Sequence, residues 1–198
     1  VCHLAQFITK WDELCDRRLY RLMCYVHSTY HLRMTGWVGD DLASVSPHLF
    51  ADADYAGDSK LSRSTSGIHL ALLGPNAVFP LAGQSKKQGC VSHSTPEAEL
   101  VSASHAMRCY GLPCLDLWEN LLNRNCAMHF HEDNETAIIA MRNGYSQTMR
   151  HLSRTHGVCL RWLAERFRDP QCMLHYERSA LQAADVYTKA FTSTVPAE

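Results

Sequence analysis

Leu49-Phe50-Ala51-Asp52-Ala53-Asp54 sets two acids into an otherwise apolar run. So short an apolar run predicts a strand, with Asp52 deep inside it. Gly57, Asp58 and Ser59 supply a turn beyond it. Downstream, Gly67-Ile68-His69-Leu70-Ala71-Leu72-Leu73 reads as a second strand, stopped by Gly74-Pro75-Asn76. Ala77-Val78-Phe79-Pro80-Leu81-Ala82 is a third strand, continuing toward Ser85, and Pro80 demands an edge or a bulge because it cannot donate to a ladder.

The pattern then alternates between helix and strand. Ser94-Thr95-Pro96-Glu97 is a helix start, with Ser94 as the cap and Pro96 in the first turn. Leu100, Ala103, Met107 and Tyr110 continue it as an apolar stripe, and Pro113 kinks the helix or begins another. Ala127 to His131 is a fourth strand, and Asn134 or Asp133 caps a helix that Asn143-Gly144 ends. Leu152 to Phe167 is expected to be helical, Cys172 to Tyr176 to be a fifth strand, and Leu181, Ala184, Thr188 and Phe191 to mark a last helix. Upstream, residues 1 to about 33 carry helical spacing and the basic group Arg17, Arg18 and Arg21, followed by a loop at Gly36 to Asp41.

A chain of 198 residues that is 46% hydrophobic and 20% charged can bury a core and is not disordered. The net charge of −1 means that any polyanion must be met by local positive charge. Nine cysteines, an odd number with no Cys-x-x-Cys pair, are expected to be reduced thiols of an intracellular, cytoplasmic protein. No signal-peptide pattern opens the sequence, and its start inside a helical pattern suggests a piece of something longer. Its most apolar stretch, Gly67 to Gly83, is broken by His69, Pro75, Asn76 and Pro80, so no membrane span is expected.

Four acids stand where a lone carboxylate is costly: Asp52 within a strand, Asp133 at a strand end, Glu99 in the first turns of a helix, and Asp185 after Ala183-Ala184. Singly, each has an ordinary explanation as a helix cap, a turn former or a partner of the helix dipole. Gathered together they would repel one another unless a cation compensated, and such hard oxygen ligands suit Mg²⁺.

The surrounding residues give these acids a context. Asp52-Ala-Asp-Tyr-Ala-Gly-Asp58, Arg63-Ser-Thr-Ser-Gly67, Ser85-Lys-Lys-Gln88, Ser94-Thr-Pro-Glu-Ala-Glu99, Glu132-Asp-Asn-Glu-Thr-Ala-Ile138 and Ala184-Asp-Val-Tyr-Thr-Lys189 occur in this order. Together they resemble the ribonuclease H domain of copia-type LTR retrotransposon polyproteins, over about residues 49 to 192. The resemblance implies an α/β, ribonuclease H-like fold: a five-stranded mixed sheet, three antiparallel strands then two parallel, flanked by helices. Residues 1–48 then resemble the helical connection from the end of the reverse transcriptase region, and 193–198 form a C-terminal tail.

By the same resemblance the activity is metal-dependent cutting of the RNA strand of RNA–DNA hybrids during reverse transcription. The catalytic, metal-holding acids are Asp52, Glu99, Asp133 and Asp185, the cofactor is two Mg²⁺ ions with Mn²⁺ as a substitute, and the partner is the reverse transcriptase domain of the same polyprotein. Glu97 and Glu99 sit about 200° apart on a helix, so only one can face a metal; Glu99, directly before Leu100, is chosen. Asp52 is preferred to Asp54 as the deeper of the two. Arg154 to Cys159 replaces a pattern that usually carries Lys-His-Ile-Asp, and Pro113 interrupts a helix that usually runs on.

Arg150, Arg154 and Arg161 are spaced to share a helix face, and with Lys86 and Lys87 they are expected to track phosphates. His129 and His131 alternate on a strand, but without paired cysteines or a His-Glu-x-x-His pattern no zinc site is expected. His93 and His175 read as structural, and Ser94 and Cys90 lack a partnered base. Two rivals remain: a catalytically inactive ribonuclease H-like binding or connection module, which four intact acids disfavour, and an integrase-like strand transferase, disfavoured by four acids where three are needed and by the lack of a zinc-binding module.

Overall fold

The structure, a computed structural model, describes residues 2–57 and 62–189. The chain divides into two compact units, Val1–Thr35 and Gly36–Glu198. In the first, helix α1 (Cys2–Ala5) and a 3₁₀ turn (Ile8–Lys10) precede helix α2 (Glu13–Thr29). The side chain of Asp12 caps α2 by accepting from the Cys15 amide at 2.8 Å. The helix expected over residues 1–33 is therefore interrupted between Gln6 and Asp12.

The second unit is built on one mixed sheet of β1 (Trp37–Val38), β2 (Ser46–Asp54), β3 (Thr65–Gly74), β4 (Ala77–Lys87), β5 (Met128–Glu132) and β6 (Cys172–Tyr176). The order across it is β1-β4-β3-β2-β5-β6. The β1/β4, β4/β3 and β3/β2 pairs are antiparallel, while β2/β5 and β5/β6 are parallel. The sheet thus has six strands where five were expected. The extra one is two residues long, too short to show alternation, and lies in what read as a loop. It forms because β4 leaves an open edge and because Asn76 in the β3–β4 turn donates its backbone amide to Asp40 at 2.7 Å. Pro80 lies beyond the two residues that pair with β1. A register shift falls there too, with Leu70 opposite Ala82 and Ala71 opposite Pro80.

Helix α3 (Thr95–Ala106) passes through a π turn (Met107–Gly111) into α4 (Leu112–Leu122), where Pro113 occupies the first turn. Ser94 caps α3, and Asn134 rather than Asp133 caps α5 (Glu135–Asn143). Leu49, Ala51 and Ile68 from the sheet meet Leu100, Ala103 and Met107 from α3 and the π turn, with Phe130 edge-on to Phe167 at 5.2 Å.

The single helix expected from Leu152 to Phe167 is two: α6 (Leu152–Thr155) and α7 (Leu160–Arg168). Gly157 between them takes a φ of +66°, which a continuing helix cannot use. The last helix is likewise replaced by 3₁₀ turns, Ser179–Leu181 and Ala183–Tyr187, tied down by Gln182, whose amide donates to the Ala51 carbonyl at 3.0 Å. Phe191, the tail 193–198, and Asp58 and Ser59 of the first turn lie outside the described residues. Among the described residues no helix is long and apolar enough to cross a membrane.

Candidate active site

Parallel pairing of β2 with β5 puts Leu49 beside Phe130 and Phe50 beside His131, so two residues further on, just past the end of β5, Asp133 comes level with Asp52. Helix α3 carries Glu99 against the same strand end, where the Ala53 amide donates to its carboxylate. One carboxylate oxygen from each of Asp52, Glu99 and Asp133 lies within 4.8 Å of the other two. Three segments far apart in sequence therefore converge on one pocket.

What holds α3 at this height is a buried polar knot. Gln88, just past β4, donates to Ser66 Oγ at 3.0 Å and to the Ala98 carbonyl at 2.9 Å, and accepts from Ser92 Oγ at 3.1 Å. Glu97 faces away from the carboxylates, 1% exposed, and accepts from the His93 amide at 3.0 Å. Its other oxygen lies 3.1 Å from Nε2 of both His151 and His156. The offset of two helix positions separates the two acids as the helix period requires.

Asp185 does not join the group of three. It borders it from the turn Ala183–Tyr187, with Oδ2 paired to Lys189 Nζ and Oδ1 buried without a hydrogen-bond partner. Thr188 donates its hydroxyl to Asp52 Oδ2. Gly67 makes this approach possible: a Cβ there would stand 2.6 Å from the Ala184 carbonyl oxygen and 2.6 Å from Thr188 Cγ2. Thr188 and Lys189 were visible in the Ala184–Lys189 motif, but nothing in their spacing marked them as partners of Asp52 and Asp185. Glu132 was also passed over. It is fully buried, with Oε1 accepting from the Asn134 amide and Oε2 unpartnered.

The electrostatics are those of crowded acids. Burial, then the charges of Glu132, Asp52 and Asp133, push the Glu99 carboxyl up to about 11. Burial raises Asp52 to about 6, against the Thr188 hydrogen bond, with Asp185 and Asp133 adding to the rise. Burial also raises Glu132 well above the usual range. Glu99 Oε2, Glu132 Oε2 and Asp185 Oδ1 are all buried oxygens lacking a donor. Hard, desolvated, mutually repelling oxygens with unused lone pairs are the donor set a divalent cation of the Mg²⁺ type satisfies.

The basic residues distribute differently from expectation. The break at Gly157 puts Arg154 on α6 and Arg161 on α7, and Arg150 precedes both, so they share no helix face. Arg150 and Arg161 nevertheless line one cleft of about 330 Å³, where Arg150 donates to the Tyr145 hydroxyl at 2.9 Å. Arg154 is exposed. Lys86 and Lys87, at the end of β4, line a second cleft with His105 and Arg108; the latter cation was not singled out from the sequence.

No protein-family model matches this sequence, and no curated protein matches it. Among solved structures, the chain is similar to LC11-RNase H1, isolated from compost by a metagenomic approach, with a TM-score of 0.50, 15% identity, and 72% of this chain and 92% of that one covered. It is also similar to RNase H1 from the halophilic archaeon Halobacterium salinarum NRC-1, with a TM-score of 0.49, 14% identity and 72% and 94% coverage. A third is the prototype foamy virus protease-reverse transcriptase, with a TM-score of 0.42, 16% identity and 68% and 17% coverage. The sheet order, the flanking helices and the first of these similarities establish a ribonuclease H-like fold for this chain.

Proposed function

We propose that this protein is a metal-dependent endonuclease that hydrolyses the RNA strand of RNA–DNA hybrids, as the ribonuclease H part of a copia-type LTR retrotransposon polyprotein. The observation that carries the reading is the convergence of Asp52, Glu99 and Asp133 within 4.8 Å on a ribonuclease H-like fold. Those three, with Asp185 at the border, would hold two Mg²⁺ ions, or Mn²⁺ in their place. When bound, the cations supply neutralisation of phosphate charge and a water acidic enough to serve as nucleophile near neutral pH. The chain's own residues position the rest. Thr188 orients Asp52, Lys189 holds Asp185, and Gln88 seats the helix that carries Glu99.

Lys86, Lys87, Arg150, Arg154 and Arg161 would contact phosphates along the hybrid, giving affinity without sequence choice. Residues 1–48 serve as the connection from a reverse transcriptase domain, 49–192 as the nuclease domain and 193–198 as a tail. The test is cleavage of an RNA–DNA hybrid in Mg²⁺ by the wild-type chain and by Asp133→Asn and Glu99→Gln. Cleavage by the wild type with loss of at least about a hundredfold in each variant is expected from removing a ligand of a catalytic metal. Undiminished cutting by both variants would remove the reading.

A further inference from the structure

The face of the sheet opposite the α3 core carries four histidines from three strands. His48 lies in β2, His129 and His131 in β5, and His175 in β6, while Leu49, Met128 and Phe130 turn into the core. The rings are close to parallel. Centroids are 4.5 Å apart for His48–His129, 5.1 Å for His48–His131, 5.0 Å for His129–His175 and 5.5 Å for His131–His175, with interplanar angles of 11° to 27°. Each ring touches two others, so the four close a loop.

Their nitrogens meet in pairs. His48 Nδ1 is 2.9 Å from His131 Nε2, and His129 Nδ1 is 2.9 Å from His175 Nε2. The outer nitrogens of the first pair are also engaged: His131 Nδ1 lies 3.0 Å from Glu177 Oε2, and His48 Nε2 lies 3.2 Å from Ser46 Oγ. An ionised carboxylate only accepts, so Glu177 fixes the His131 proton on Nδ1 and leaves Nε2 as a bare lone pair aimed at His48. Ser46 can accept from His48 Nε2 in the same way, which would leave His48 Nδ1 bare as well. With the His48 proton on Nδ1 it donates to His131 Nε2 while the Ser46 hydroxyl donates to His48 Nε2; with that proton on Nε2, two lone pairs face each other 2.9 Å apart, an arrangement that a cation bound to both relieves. A histidine held through its far nitrogen by a carboxylate is the arrangement that metal-ligating imidazoles use. Burial, and then the neighbouring rings, push His48 down to about 3, so at neutral pH it is a neutral imidazole with one nitrogen carrying a lone pair.

We propose that His48 and His131, with the His129–His175 pair beside them, form a binding site for one divalent transition-metal ion of the Zn²⁺, Cu²⁺ or Ni²⁺ class. Imidazole suits these ions and not Mg²⁺, so the site is chemically distinct from the carboxylate pocket, where Asp52 lies four positions past His48 and Asp133 two past His131. Among the described residues, ring nitrogens here converge in twos, not threes. The third ligand comes from rotation of the His129 ring, which already stacks on His48. Bound metal would pin β2 to β5. The proposal does not depend on the nuclease reading.

The test uses the full chain in excess Mg²⁺, with Zn²⁺ binding followed by calorimetry and Cu²⁺ binding by electron paramagnetic resonance. One saturable Zn²⁺ equivalent and nitrogen hyperfine structure on Cu²⁺ are expected. His48→Gln should abolish saturable Zn²⁺ binding, and Glu177→Gln should weaken it roughly 10- to 100-fold. Asp52→Asn should leave it unchanged. Absence of saturable binding by the wild type, oxygen-only ligation of Cu²⁺, or binding that follows Asp52→Asn in place of His48→Gln would overturn the proposal. Should His48→Gln fail to fold by circular dichroism, the nitrogen signature on the wild type decides.

Discussion

Replacing Asp52 by Asn should make the metal-free protein more stable while destroying the proposed activity. The Asp52 carboxyl rises from 3.8 to about 6 on folding, so the native state holds that proton more tightly than the unfolded chain does. Its favourable contribution is therefore complete below pH 3.8 and is lost as pH rises through about 6. Ionising it at pH 8 costs roughly 3 kcal/mol, at 1.36 kcal/mol for each tenfold change in the proton equilibrium. An Asn side chain escapes that cost, and its amide oxygen can still accept from Thr188.

For a chain of this size about 3 kcal/mol corresponds to roughly 6–12 °C in Tm. Melting in EDTA at pH 8 should show Asp52→Asn above the wild type by several degrees, with the gap about halved at pH 5, where the native carboxyl is mostly protonated. Adding Mg²⁺ at pH 8 should raise the wild type and leave the variant nearly unmoved, because only the wild type then exchanges repulsion for ligation. A variant no more stable than wild type in EDTA, or a gap independent of pH, would show that Asp52 is not in the crowded, desolvated pocket described above.

Gly67→Ala should push the Ala183–Tyr187 turn away from β3, since its Cβ would meet a backbone oxygen at 2.6 Å; hybrid cleavage should drop with far-UV dichroism intact, and full activity would contradict that close approach. Arg150→Ala with Arg161→Ala should reduce the slope of log Kd against log salt for hybrid binding by about 2, near 0.9 per lost phosphate contact, measured by fluorescence anisotropy; an unchanged slope would place the hybrid elsewhere. Phe130→Ala, at a fully buried position against Phe167, should cost about 3–5 kcal/mol in urea unfolding. Ser94→Ala should cost about 1 kcal/mol by uncapping α3, and a negligible effect would mean the Glu97 amide finds another acceptor.

Reading residues in order was enough for features set by near neighbours. Short apolar runs, the first two bounded by turn residues, located β2, β3, β5 and β6, because a strand needs only a few residues to cross the core. Ser94, and the pair Asp133-Asn134, marked helix starts because a cap acts over three residues, and the structure gives the second cap to Asn134. The bulge at Pro80 followed from a missing amide proton. The helix period allowed only one of Glu97 and Glu99 to face a metal, and the two side chains do diverge.

Long-range register supplied the rest. β1 exists only because β4 has an edge to fill, and two residues carry no period. Apolar spacing ran through Gly157 as though the helix continued; its positive φ is a property of the packed loop. The Thr188–Asp52 contact joins residues 136 apart, and His48 meets His131 across 83. No local pattern encodes such a meeting. Which side chains share a pocket is fixed when strands align, since a slip of one residue would turn every one of them to the other face.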